Sequence, residues 1–367
     1  MKLFFFLSFF LSVPYGYSQE KNNFFLNYTL KSDHNTAVLN KFYEFINATT
    51  EDNGMNAFWG DSKYFKHPED DFLDVIKNAK NHKMTLLSIN NIDDHRSLVK
   101  VAWIKNNNNF GNLYAVYNFI AFNNKNEIIF ENVLDRNTKD FKTFNVNEIK
   151  YVIHQDHELN RKTARKMVTF NKKMALFFEE DIMKFTYLLS KDMKQFKEIR
   201  GFDFDSMMVD QNQIGGETFP ADNLIFAGND SEFYPHEVVH LYTYQHFHKI
   251  HKIVDEGLAT YFGGSKGIKF EDHILKLKEH LNEKDLNVYE ELFNKSEHYI
   301  LDDTTSLWYT IGALLCDITL KKYGKEGLFN LMNSGKTNDE LLLSLEKIFK
   351  IKKADLDGFI KSELKNY

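Results

Sequence analysis

The first part of the chain carries apolar residues at helical spacing and then switches to strand-like runs. In "NTAVLNKFYEFINAT", Val38, Leu39, Phe42 and Phe45 fall on one face of a 3.6-residue period, and "DDFLDVIKNAKN" again reads as helix. From Met84 the texture changes. "MTLLSI", "SLVKVAWI", "LYAVYNFIAF" and "EIIFENVL" are β-branched and aromatic, and the polar segments "NNIDDHR", "KNNNNFGN" and "NNKN" between them read as turns. Helices followed by short antiparallel strands predict a small α+β domain. Near Asn147 the pattern changes once more. "IKYVIH" reads as a strand, and "RKTARKMVTFNKKMALFFEE" as a long helix with Met167, Phe170, Met174, Phe177 and Phe178 on one face. The expected organisation is an N-terminal α+β domain over 19–146 and a second domain over 147–367. No Pro/Gly/Ser-rich linker marks the join, and no internal repeat is visible.

The residues before this pattern form a segment of their own. Lys2 supplies a positive start, and Leu3 to Val13 is an apolar run of about eleven residues, short of the ~20 that span a bilayer. Pro14 breaks the run, and Gly16 and Ser18 are small residues where a signal peptidase reads. This predicts a cleavable signal over 1–18 and a secreted or periplasmic protein with no transmembrane segment after its removal. An uncleaved anchor and an apolar first strand are the alternatives. No cysteine follows the run, so a lipid anchor is not expected.

Composition narrows the picture a little further. The 367 residues are 43% hydrophobic and 27% charged, an ordinary globular balance. A formal charge of -6 gives no electrostatic reason to expect nucleic acid or an anionic membrane as partner. The one cysteine, Cys316, leaves no internal disulfide to form and sits in an apolar helical run, where it reads as a small core residue. Four glycosylation sequons, beginning at Asn27, Asn47, Asn229 and Asn294, are read as chance matches in a Lys/Asn-rich chain.

The chemistry is concentrated in "YPHEVVHLYTYQHFHKIHKIVDEGLATYF". His236-Glu237-Val238-Val239-His240 is H-E-x-x-H. On a helix the two histidines lie one above the other and can bind one Zn²⁺ together. Glu237 lies about 100° round the helix, close enough to act as general base on a water without ligating the metal. A solvated helix with two surface histidines is the bland alternative, and the Val238-Val239 pair argues against it. Pro235 is tolerated only in a first turn, so the helix should start close to His236.

A catalytic zinc needs a third protein ligand and an open position. His246 lies six residues after His240, at the spacing of the metzincins. Their glycine turn would fall at Thr243, a β-branched residue ill suited to positive φ, and no methionine turn follows. Glu256, in the first turns of a second helix, can cross to the two histidines through a helix–turn–helix and is the preferred ligand. Thr260, one turn beyond, is a candidate hydrogen-bond partner for a ligand. His248 and His251 read as loop or surface residues, one of which could line the cleft.

These motifs resemble those of the gluzincin zinc metallopeptidases. "DEGLATY" is similar to the (W)-x-[ND]-E-G-x-A-x-Y segment of the gluzincin aminopeptidases and the peptidase MA-like families, with Ile253-Val254 near the place of the absent Trp. Tyr309-x-x-Gly312-Ala313 resembles their Tyr-x-x-Gly-Ala helix, whose tyrosine donates to the tetrahedral intermediate, and "LKKYGKEGLFNLM" resembles the Tyr-Gly cap that follows. Gly215-Gly216 and the extended segment after them resemble the substrate-binding edge strand, where glycines admit a peptide backbone. Glu217 compares with the amine-binding glutamate of the exopeptidase motif, offset by one residue and without the Asn. A plain turn and strand is the preferred reading there. The resemblance covers roughly Ile149 to Tyr367, with its motifs between Gly215 and Gly324. It implies a thermolysin-like, mainly helical zincin domain with a small sheet.

The resulting expectation is a secreted zinc peptidase acting on peptides or proteins. His236, His240 and Glu256 would be metal ligands, Glu237 general base and Tyr309 oxyanion donor. The alternatives are a catalytically weak or inactive peptidase-derived binding protein, and zinc hydrolysis of a non-peptide substrate. The first domain lies outside the resemblance. Its helix-then-strands layout is similar to the cone-type cystatin-like and nuclear-transport-factor-like folds. Side-chain preference, endo- versus exopeptidase action and oligomeric state are not legible.

Overall fold

A computed structural model describes residues 24–26, 33–50, 55–79, 81–107, 110–125, 127–209, 214–295 and 299–367. The expected signal over 1–18 and the Asn27 sequon lie outside them. The chain begins with β1 (Phe24–Leu26), α1 (Asp33–Thr50), α2 (Asp70–Asn78), β2 (Lys83–Asn91), β3 (Arg96–Asn107), β4 (Phe110–Asn124), β5 (Glu127–Glu131) and the short α3 (Leu134–Asn137). It continues with β6 (Lys142–Val146), β7 (Ile149–Ile153), α4 (Arg161–Phe178), β8 (Phe185–Ser190), α5 (Met193–Ile199), β9 (Phe202–Asp205), β10 (Gly215–Phe219) and β11 (Leu224–Gly228). Helices complete it: α6 (Pro235–His246), α7 (Lys252–Gly263), α8 (Phe270–Glu283), α9 (Val288–Phe293), α10 (Leu307–Met332), α11 (Asn338–Phe349) and α12 (Leu356–Glu363). The fold is mixed α/β, with twelve α-helices and two sheets among the described residues. No helix among those residues is long and apolar enough to cross a membrane.

Two compact units form. The first holds residues up to Arg136 together with Ile199–Ser206. Its sheet runs β1-β2-β3-β4-β5, and β9 pairs with β4 on the stretch that β5 leaves uncovered. The predicted helical face of α1 supplies Phe42 and Phe45, both fully buried against Phe72, Phe119 and Phe130 of α2 and the sheet. Aromatic rings at edge-on angles, such as Phe119 on Phe130 with centroids 5.0 Å apart, fill this core. Within the same unit, Arg200 meets the buried Asp71 through two hydrogen bonds, Nη2 to Oδ1 and Nε to Oδ2 at 3.1 Å. That pair ties the returning segment to α2.

The compact units part at Arg136/Asn137, ahead of the expected 146/147 division. Asn137 to Val146 belongs to the second unit because β6 pairs with β7, register Val146 to Ile149. The span 147–367 is also interrupted, because Ile199–Ser206 goes to the first unit. The "EIIFENVL" run stops being a strand at Glu131, since Asn132 Oδ1 accepts from Leu134 N–H at 2.7 Å and turns the chain into α3.

The second unit is built round a sheet of order β10-β11-β8-β7-β6. Its centre, β11-β8-β7, is parallel, and both outer strands are antiparallel. Helix α4 makes the crossover from β7 to β8 and buries Met167, Phe170, Met174 and Phe178. Cys316 is fully buried in α10. That long helix is two stretches joined at Gly324, whose φ of 67° is non-helical and falls directly after Tyr323. β10 is an edge strand, and α6 and α7 follow the sheet as an antiparallel-type pair joined by a short loop.

Candidate metal centre

Pro235 occupies the first helical position of α6, where its missing N–H is harmless. His236 and His240 thus share a face, with ring centroids 5.1 Å apart. Helix α7 brings Glu256 to them. Its Oε2 lies 3.2 Å from His236 Nε2 and 3.6 Å from His240 Nε2. The ligand atoms of the three residues all fall within 4.8 Å of one another.

The far sides of both rings are held by oxygen. Gly264 ends α7 with φ 75°, and its carbonyl lies 2.7 Å from His236 Nδ1. A carbonyl only accepts, so Nδ1 carries a proton, and Nε2 is the ring atom turned toward Glu256. His240 Nδ1 lies 3.3 Å from Asp255 Oδ1, and that oxygen also accepts from the Thr243 hydroxyl at 2.8 Å. These groups also compete for protons. Burial lowers the His240 pKa, but the Asp255 and Glu256 carboxylates outweigh it and hold the ring well above its ordinary value. Burial opposes ionisation of Glu256, but hydrogen bonds from the two rings outweigh it and hold the carboxyl well below the usual range.

Glu237 is 5% exposed, beside the triad but not of it. Burial pushes its carboxyl up, against the opposing pull of His236, His240 and a hydrogen bond from Thr218. Thr218 Oγ donates to Glu237 Oε2 at 2.8 Å. Strand β10 comes this near α6 because residue 216 has no side chain. A Cβ at Gly216 would sit 2.7 Å from the Tyr234 ring and 2.8 Å from Glu237 Cγ. Side chains alternate along a strand, so Gly216 and Thr218 face Glu237 while Glu217 points to the other face. Gly215, Gly216, Glu217 and Thr218 line one side of a cavity of about 670 Å³ that also contains the three ligand-type residues.

Tyr309 reaches the same cavity from α10. Its ring stacks on His236, with centroids 5.9 Å apart and planes 17° from parallel. Burial raises its pKa, and the Glu256 and Glu237 charges add to that, so the phenol keeps its proton. Gly257 and Gly312 make this placement possible. A methyl on either would overlap the backbone of the opposite helix, so α7 and α10 touch main chain to main chain, bringing Tyr309 and Glu256 to one site.

Other sequence candidates lie elsewhere. The Thr260 hydroxyl is buried and has no hydrogen-bond partner among the described residues, so it does not support a ligand. The side chain that lies beside His240 is Asp255 instead. His246 turns to the end of α4, with Nε2 2.8 Å from the Phe178 carbonyl and Nδ1 3.5 Å from Glu180. His248 is exposed and lines the cavity. His251 is not a surface residue. It is 4% exposed and caps α7, its Nδ1 accepting from Ile253 N–H at 3.2 Å.

Asp255, Thr218, Tyr234 and the Gly264 carbonyl were not legible as site groups. Asp255 carried the clearest signal, an acid directly before Glu256. No protein-family model, curated protein or solved structure matches this chain.

Proposed function

We propose that this protein is a zinc-dependent peptidase of the gluzincin type, with His236, His240 and Glu256 as its metal ligands. The observation that carries the reading is the orientation of the rings. Each Nδ1 is beside a protein oxygen, and each Nε2 is turned toward the same carboxylate oxygen. Two imidazole nitrogens and one carboxylate fit a catalytic zinc that keeps a position for water. When bound, the ion supplies Lewis acidity toward a carbonyl and makes a neighbouring water more acidic.

The chain's own residues account for the rest. Glu237, raised by burial, takes a proton from water and returns it to the leaving amine. Thr218 holds one of its oxygens and so fixes the other. The protonated Tyr309 phenol donates to the oxygen on which charge develops. As the outermost strand of its sheet, β10 is the element an extended peptide would lie along by strand addition, with Gly216 admitting the main chain beside Glu237. Glu217, on the opposite face of β10 from Glu237, gives no support to capture of a free amine next to the reacting bond.

The second unit is read as thermolysin-like on this basis: an edge strand over the first of two consecutive site helices. The first unit, with a long helix packed on a mostly antiparallel sheet, is read as cone-type, similar to cystatin-like domains. The reading includes export from the cytoplasm. Its test is Glu237→Gln in the full chain against a peptide library. Loss of chelator-sensitive cleavage with zinc still bound supports the mechanism, and cleavage at the wild-type rate overturns it.

A further inference from the structure

The geometry points to a second divalent-metal site made by His154, His157 and Asp230, which shares no residue with the first and does not depend on the peptidase reading. The parallel strands β7, β8 and β11 end side by side. His154 follows β7, Ser190 closes β8, and Asp230 lies just past β11. Two further hydrogen bonds keep these chain ends in line, His154 N–H to Leu189 and Asp230 N–H to Ser190, both 3.2 Å. The carboxyl ends of parallel strands are where open α/β sheets gather ligand-binding groups.

Three donor atoms meet there. Asp230 Oδ1 lies 2.9 Å from His154 Nε2 and 2.8 Å from His157 Nδ1, and the ligand atoms of all three residues lie within 4.8 Å. The other nitrogen of His157, Nε2, is 2.8 Å from the Glu232 carboxylate, which is itself 2% exposed. A carboxylate only accepts, so Nε2 carries a proton. At 2.8 Å Nδ1 meets Asp230 as a second N–H, and a cation binding here would replace that proton as the two atoms part slightly. A histidine oriented by a buried carboxylate on its far nitrogen is the usual support for a metal ligand. His154 is 3% exposed, and its Nδ1 has no partner among the described residues. Its ring is committed to the Asp230 side alone.

Asp230 completes the case. It is held at φ 48°, a left-handed conformation that aspartate tolerates better than most residues. Its side chain is 55% exposed, which gives an ion a way in and room for water. Two imidazoles and one carboxylate select a zinc-like ion over Ca²⁺ or Mg²⁺, which prefer oxygen ligands. Asp230 and Glu232 belong to the short segment leading from β11 into Pro235 and His236. An ion here would brace that lead-in against the end of β7.

The test is zinc stoichiometry on the full chain, stripped with chelator and dialysed against Zn²⁺. Two equivalents are expected for the wild type, one for His236→Ala, and none for His236→Ala combined with Asp230→Asn. Asp230→Asn keeps the size of an exposed side chain, and circular dichroism verifies its fold. Glu232→Gln should weaken the His236→Ala site about 10–100-fold. The site is overturned if His236→Ala binds no zinc, or if adding Asp230→Asn leaves its binding unchanged. A wild type binding one equivalent, kept in His236→Ala and lost in Asp230→Asn, upholds this site and removes the proposed catalytic one.

Discussion

Gly257 on α7 rests directly against Gly312 on α10, leaving no space for a methyl group on either. Each glycine is a neighbour of a site residue: Gly257 follows Glu256, and Gly312 is nearly one turn after Tyr309. Substituting Gly257→Ala must therefore push the helices apart. We expect a loss of about 1–3 kcal/mol from overpacking, measured by denaturant unfolding. Zinc affinity and turnover should fall together, because Glu256 and Tyr309 move relative to His236. Wild-type affinity in a destabilised Gly257→Ala protein would contradict this link.

Tyr309→Phe removes a hydroxyl and little else. If the phenol donates to developing charge, kcat should fall about 10²–10³-fold, with KM almost unchanged. Steady-state kinetics on one good peptide substrate separate the two parameters. A rise in KM alone would make Tyr309 a binding residue.

Asp255 and Thr260 give opposite expectations. Asp255→Asn leaves the His240 ring with a poorer partner and should weaken zinc about 10–100-fold. Thr260→Val replaces an unpaired buried hydroxyl by a methyl of similar size. It should raise stability by about 1 kcal/mol and leave zinc affinity alone. Competition with a chromophoric chelator reads both affinities, and thermal unfolding reads the stability.

His251 gives a pH signature. Burial lowers its pKa, outweighing the opposing hydrogen bond to Asn338 and the Glu340 charge. With the folded value below the unfolded one of about 6.5, the unfolded chain binds more protons just below that pH. The stability the neutral cap contributes is complete above about pH 6.5 and erodes as pH falls toward the folded value. His251→Asn keeps a capping oxygen and lacks the titration. The stability gap between wild type and variant should change in the variant's favour between pH 7 and 5. A gap independent of pH would dispose of the argument.

Much of the architecture could be read from spacing alone. Val38, Leu39, Phe42 and Phe45 announced α1, and Pro235 announced the start of α6. H-E-x-x-H and Glu256 share helix-borne side chains, whose positions follow from a period of 3.6. What could not be read depends on long-range neighbours. "FDFD" is too short to declare itself a strand, and β9 forms only because β4 outruns β5. Asp255 could be told from Thr260 as the partner of His240 only once α7 had a rotation relative to α6. His251 reads as loop by composition, and its capping role depends on Ile253 and Asn338 being close.

The detour of Ile199–Ser206 limits how this chain can be taken apart. A gene fragment stopping at 146 would leave part of the β4 edge bare, and one starting at 147 would carry a homeless strand. No single cut yields two self-sufficient pieces. Exchange of modules with other proteins at one crossover point would be unproductive, and any functional transplant must carry both portions along.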